Sequence, residues 1–420
     1  MLSLRFITLA VYLTRLFLVQ AARTPRIGFE IETPHMPIFN SECTDEENTA
    51  MKGHRVLGQT GNGWFLGVDT SPAVKSLLNL EYDLLCDLGN THELESIIGN
   101  VMANMAELDT RDTFIIQDSK GYRDNCNPWR KLAFPGVSKV SGKATWDVQA
   151  TAPLMLEAVQ DLLIAAFQKE DHPLVIKQKN WMKNLVYVQK NWFDSKYFQE
   201  ATGGSDWATK DVIGFLSIML TNIKEARELT ASIFHPLIRK GISTQGPKTL
   251  VWLMPRNSWT SVFSLVKKKL PESVQLWAIL EHLACYQNTK DGKLKLDKRF
   301  CRGTVDNPQP NGKLQDKTWS LKGGGDPLSV KTWVESIVSR PAGSLDALSE
   351  WDAKHFDGQI GAFDKLGKTL EQVLDSSREV SLWEFRGLGY SRKADLPKRI
   401  DQIQGAVVKF HKRYPQEPIS

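Results

Sequence analysis

The chain lacks most of the short signatures that announce a chemistry. No Gly-x-Ser-x-Gly elbow, His-Glu-x-x-His helix or phosphate-cradling P-loop occurs, which sets aside the common serine hydrolase, zinc peptidase and P-loop designs. Cysteine is sparse. Cys43, Cys86, Cys126, Cys285 and Cys301 contain no Cys-x-x-Cys pair, which argues against a zinc site and a dense disulfide scaffold, and their odd number leaves at least one thiol unpaired. There is no internal repeat, low-complexity tract or Asn-x-Ser/Thr sequon. Excess charge is small as well: 53 basic against 48 acidic side chains give a formal net charge of +5, too little to mark a dedicated nucleic-acid binder. An uninterrupted apolar run of about 20 residues is also missing, so no transmembrane segment is expected.

What is present suits a globular protein. The 420 residues are 41% hydrophobic and 24% charged, enough to bury a large core in two domains or in one single-sheet domain with insertions. Residues 1–22 read as a signal peptide: Arg5 lies in a short basic start, an apolar run covers Phe6 to Thr14, and Ala21 and Ala22 supply small residues at the end. Arg15 interrupts the apolar stretch. Cleavage near Arg23 would leave 51 basic and 48 acidic side chains and place the protein in the secretory pathway or outside the cell. Residues 23–420 are read as one catalytic-type domain with a helical insertion over about 170–380.

The design of that domain shows in Arg26-Ile27-Gly28-Phe29-Glu30-Ile31-Glu32-Thr33. Alternation places Ile27, Phe29 and Ile31 on one side of a strand and Gly28, Glu30 and Glu32 on the other. Trp64 to Asp69 reads as a second strand, with Asp69 and Ser71 on one side; His92 to Gly99 reads as a third, carrying Glu93 and Glu95. Trp146 to Thr151 alternates Trp146, Val148 and Ala150 against Asp147, Gln149 and Thr151, and Pro153 is expected to open a helix through about Gln168. Leu382 to Gly387 sets Trp383 and Phe385 against Glu384 and Arg386. Together these segments predict an α+β fold, a mostly antiparallel sheet with one acid-bearing face and one face packed on helices.

Further helices are expected from Trp207 to about Ile233 behind a Ser205 cap, through Ser339 behind Asp326-Pro327, and from Lys398 to about Tyr414. Residues 286–326, rich in Gly, Lys, Asp and Asn, read as a mobile surface loop.

Carboxylates projecting from neighbouring strands into one cleft are what a hard divalent cation needs, since Mg²⁺ and Mn²⁺ prefer oxygen ligands and bridge protein acids to substrate phosphates. Glu30, Glu32, Glu93 and Glu95 are the candidate metal ligands. Arg386 is a candidate phosphate binder because its planar fork matches phosphoryl oxygens. Lys248 and Arg256, flanking a strand-like Thr249 to Met254, form a second cationic patch for an anionic substrate.

These motifs, Gly28-Phe29-Glu30-Ile31-Glu32, Trp64 with Asp69-x-Ser71, Glu93-Leu94-Glu95-Ser96 and Glu384-Phe385-Arg386, resemble the amidoligase group of the glutamate–cysteine ligase and glutamine synthetase-like superfamily. The resemblance implies an antiparallel funnel, Mg²⁺ ions on ATP, an acyl phosphate and attack by an amine on a small-molecule or peptide carboxylate. In that picture Asp69 and Ser71 would shape the substrate or metal site and Arg386 would hold phosphate; Asp69, Glu384 and Arg386 are the candidate catalytic residues, and Gln149, Lys248, Arg256 and Arg386 the candidate nucleotide contacts. Gln149 stands where the family often places a histidine.

Two other readings follow from the residues. Trp181, Tyr187, Trp192, Phe193, Tyr197 and Phe198, interleaved with Lys177, Lys179, Lys183, Lys190 and Lys196, form a basic aromatic stretch that suits a secreted effector or binding protein without catalysis meeting nucleic acid or an anionic membrane, or else an amphipathic core element. Thirteen tryptophans and paired acids also suit a two-carboxylate glycoside hydrolase.

Overall fold

Alternation at the start of β1 (Arg26–Ile38) produces a central strand whose Ile27, Phe29 and Ile31 are fully buried while Gly28, Glu30 and Glu32 line the opposite face. The structure, a computed structural model, describes residues 25–38, 55–59, 63–70, 78–109, 113–114, 132–133, 145–175, 185–229, 252–272, 274–322, 325–356 and 381–415. The expected signal peptide, Ser71 and Lys248 lie outside these residues.

Strands β2 (Arg55–Gln59), β3 (Trp64–Thr70) and β4 (Leu78–Asp87) precede helix α1 (Thr91–Asp109). After the short strands β5 (Thr113–Phe114) and β6 (Leu132–Ala133), β7 (Thr145–Leu154) leads into α2 (Leu156–Gln168). Helices α3 (Lys196–Thr202) and α4 (Lys210–Glu225) then precede β8 (Glu228–Leu229), β9 (Leu253–Pro255), α5 (Trp259–Lys267) and α6 (Leu276–Leu283). Six small strands follow: β10 (Tyr286–Gln287), β11 (Lys295–Leu296), β12 (Cys301–Gly303), β13 (Pro308–Pro310), β14 (Thr318–Leu321) and β15 (Leu328–Ser329). Helices α7 (Val330–Ser339) and α8 (Ala347–Phe356), strands β16 (Ser381–Phe385) and β17 (Tyr390–Arg392), and helix α9 (Leu396–Arg413) complete the described chain.

The main sheet runs β2-β3-β4-β1-β7-β16-β9, with β17 alongside β7, and its neighbours are antiparallel. The fold is α+β. Its apolar face joins Ile31 to Tyr82 and Val148, Phe29 to Leu84 and Ala150, and Ala150 to Phe385. Helices α1 and α9 pack on the sheet and on each other. Leu94, Ile97, Ile98, Val101 and Met105 of α1 and Ile400, Ile403, Val407 and Phe410 of α9 supply buried side chains at helical spacing.

The structure departs from the expectations in several places. His92 to Gly99 is helix, because the spacing of Leu94, Ile97, Ile98, Val101 and Met105 outweighs a two-residue acid alternation, and Asn90 accepts from the Glu93 N–H at 3.1 Å to cap it. The strand in question is instead β4, where Glu81 and Asp83 oppose Tyr82, Leu84 and Cys86. Pro153 does not open a helix: β7 continues through it, since β1 pairing has ended at Thr151 and no N–H is required on that side.

Residues 286–322 form a segment built from short paired strands where the composition suggests a surface loop. The antiparallel pairs β10/β11 and β12/β13 order it, as does β14 between β8 and β15, and a disulfide joins Cys285 to Cys301 across a Cα separation of 5.1 Å. The buried Lys224 ammonium donates to the Tyr286 carbonyl at 2.9 Å and to Asp297 at 3.2 Å, while Arg299 holds Asp297 through bonds of 2.9 and 2.8 Å. Burial pulls the Lys224 pKa down to about 8. Such long-range ties are not written in local composition.

Helix α4 is shorter than expected and buried almost all round, with Ser217 donating to Gln160 at 2.6 Å and Thr221 to the Val186 carbonyl at 3.0 Å. It crosses α2 so closely that a Cβ on Gly214 would lie 2.0 Å from the Leu156 carbonyl oxygen. The aromatic stretch around residue 190 is core: Trp192, Phe193 and Phe198 are inaccessible and Tyr187 is buried. Trp181 lies outside the described residues. Among the described residues no helix is long and apolar enough to cross a membrane.

Candidate functional site

The polar face of the sheet is organised in rows fixed by strand register. One row joins Phe65, Asp83, Glu30 and Gln149; the next joins Gly67, Glu81, Glu32 and Asp147; on the other side Leu85, Gly28, Thr151, Glu384 and Met254 are aligned. Directly paired residues share a face, so acids from β1, β4, β7 and β16 converge. The closest group is Glu30, Glu81 and Asp83, each offering a carboxylate oxygen within 4.8 Å of the others. All three are half-buried.

Beside this trio lies a buried cationic pair. Arg256, just past β9, meets Glu384 Oε2 through Nη1 at 2.8 Å, and Arg386, just past β16, donates through Nε to Glu384 Oε1. Glu384 is 1% exposed, Arg256 2% and Arg386 6%, so all three charges are held away from bulk water and aimed by one another. Gln149 Nε2 donates to Glu32 Oε1 at 2.5 Å, fixing the orientation of that carboxylate.

The electrostatics follow from this crowding. Burial and the neighbouring Glu384 carboxylate push the Glu30 pKa from 4.5 up to about 7, against the opposing pull of Arg256 and Arg386. Burial works against the charge of Arg386, yet Glu384, Glu30 and Glu32 outweigh it and raise its pKa above the usual guanidinium value. Three carboxylates this close together are chemically able to hold a hard cation in place of a proton.

The sequence-derived residues therefore divide. Glu30, Glu32, Gln149, Arg256, Glu384 and Arg386 are brought together. Asp69 lies on β3 opposite Asn79, one row beyond Glu81. Glu93 and Glu95 are not brought to this face, because both lie on α1: Glu93, in its first turn, accepts from the Asp87 N–H at 2.9 Å, and exposed Glu95 pairs with His92 at 3.5 Å. Glu81 and Asp83 are the functional candidates that sequence reasoning passed over. Their signal was available, since Leu78-Asn79-Leu80-Glu81-Tyr82-Asp83-Leu84-Leu85-Cys86-Asp87 has the same alternation as β1.

The chain matches no protein-family model, and no curated protein matches its sequence. Among solved structures, one described as a Vibrio cholerae toxin from the MARTX/VgrG family is similar at a TM-score of 0.36 and 10% identity, covering 87% of this chain and 93% of that chain. The likeness is too slight to assign a fold family or a function.

Proposed function

We propose that the polar face is the nucleotide and metal site of an ATP- and Mg²⁺-dependent carboxylate–amine ligase. One observation carries this reading: the oxygen cluster of Glu30, Glu81 and Asp83 stands on the same sheet face as two buried arginines held on one glutamate. Oxygen donors on rigid strands fit Mg²⁺ or Mn²⁺, which keep part of their hydration and share the remainder of their shell with phosphate.

In this reading Glu30, Glu81 and Asp83 hold the cation, with Glu32 oriented behind them by Gln149. Arg256 and Arg386 neutralise phosphoryl oxygens, and Glu384 is a positioning residue that keeps both guanidinium groups aimed. Bound ATP would supply the phosphoryl group that activates a substrate carboxylate, and attack of the amine nitrogen on the acyl carbon would release phosphate while the nitrogen gives up a proton to solvent. The protein's contribution is placement and charge stabilisation on a face closed on its other side by α1 and α9.

The test is Mg²⁺-dependent ADP release from the full chain, measured with mixtures of carboxylates and amines, for wild type, Glu81→Gln and Arg386→Lys. Turnover that requires both substrates and falls at least about a hundredfold in each variant is expected, as for loss of a transition-state charge contact. ADP release indifferent to Glu81→Gln would remove the oxygen cluster from the reaction.

A further inference from the structure

Large apolar side chains left in water are rare on this protein: among the described residues only Val338, at 39%, and Tyr390, at 59%, are exposed. Val338 sits on helix α7, remote in sequence from the strands of the polar face. Tyr390 belongs to the polar face itself. Between Phe385, opposite Ala150, and Tyr390, opposite Asp147, the β16–β17 strand takes five steps while β7 takes three. Two extra residues preserve the alternation, so Tyr390 falls in the row of Asp147, Glu32 and Glu81, with exposed Arg392 two positions on. One extra residue would have turned the ring towards the apolar face.

The detour is built and anchored. Gly387 and Gly389 adopt φ values of +62° and +102°, a region open to glycine, and buried Leu388 lies between them. Arg399 of α9 donates to the Leu388 carbonyl at 2.7 Å and to the Pro173 carbonyl at 3.1 Å, locking the bulge to the core. A fixed backbone thus presents an exposed phenol ring two strands from Glu32 and three from Glu81, about 10 and 14 Å across the sheet. That span is too long for a phosphate alone and is bridged by a nucleoside triphosphate.

We propose that Tyr390 is the stacking platform for the base of the nucleotide whose phosphates the acids and arginines of this face hold, an inference that rests on the ligase reading above. An aromatic ring stacks on a planar base through its face, and the preorganised strand spares most of the ordering cost.

The experiment is calorimetric titration of the full chain, in Mg²⁺, with a non-hydrolysable ATP analogue and separately with inorganic tripolyphosphate, for wild type, Tyr390→Phe and Tyr390→Ala. Tyr390→Ala is expected to weaken the analogue about tenfold or more while leaving tripolyphosphate affinity unchanged, and Tyr390→Phe to retain both. Unchanged analogue affinity in Tyr390→Ala, or equal losses for the two probes, overturns the stacking role and leaves the ligase reading standing. If wild type binds neither probe, both readings fall together.

Discussion

Replacing Glu30 by glutamine separates the cost of an ionised carboxylate in this cleft from its use. In the folded chain the Glu30 pKa rises from 4.5 to about 7 through burial and the Glu384 charge, so the native state holds this proton more tightly than the unfolded chain does. The contribution of Glu30 to stability is therefore complete below pH 4.5 and is lost as pH rises through about 7. An interval of that size corresponds to about 3 kcal/mol. The glutamine amide has no proton to lose, so urea unfolding without divalent cations should find Glu30→Gln more stable than wild type by about 2–3 kcal/mol at pH 8 and nearly equal at pH 4.5. Adding Mg²⁺ at about a hundred times its dissociation constant should return about 2.7 kcal/mol to wild type and markedly less to the variant. A variant no more stable than wild type at pH 8 would show that the carboxylate is comfortably ionised there. An identical Mg²⁺ response in both proteins would place Glu30 outside the cation site.

Three further outcomes test the assignment. Glu81→Gln should abolish most of the Mg²⁺-induced shift in unfolding midpoint, whereas Glu93→Gln should leave that shift intact and cost at most about 1 kcal/mol of helix capping; the reverse pattern would restore the acids of α1 as ligands. Gly214→Ala should destabilise the chain by about 3 kcal/mol or more in thermal unfolding, because its methyl group meets the Leu156 backbone; a loss below about 1 kcal/mol would mean that α2 and α4 part easily. The triple replacement Arg256→Met, Glu384→Leu, Arg386→Met should keep or raise stability by about 1–4 kcal/mol while losing affinity for tripolyphosphate in calorimetry; a collapsed fold would assign the triad a structural role instead.

What was legible in the sequence is what local period can express. The alternation in β1, β7 and β16 disclosed which side chains share a face and hence a sheet with one charged side. The same period runs through β4, whereas the acid pair two apart, Glu93 and Glu95, imitates a strand within a helix. A window extended to Met105 resolves the conflict, because five apolar residues at spacings of three and four outweigh two acids at a spacing of two. The glycine- and lysine-rich segment after Cys285 failed for another reason. Its order comes from a disulfide and from a buried lysine 73 residues away in sequence, and composition carries no record of either.

The triad of Arg256, Glu384 and Arg386 bears on why the site reads as an anion-and-cation pair rather than as two structural features. Burying three charges costs several kcal/mol per ion, and apolar side chains of similar size would serve the fold as well, so stability alone gives no reason for the arrangement. After Glu384 is counted, the two guanidinium groups retain one positive charge, fixed in direction by a carboxylate that they share. Across the strands Glu30, Glu81 and Asp83 gather carboxylates in one cluster, and burial together with the Glu384 charge makes Glu30 hold its proton to about pH 7. A ligand that satisfies both halves must present anionic oxygens to the arginines and a divalent cation to the acids at once. Under the proposed function a metal-chelated polyphosphate would do so: its oxygens would replace the water lost by the guanidinium groups, its cation would replace the proton on Glu30, and each half of the face would lower the cost of the other.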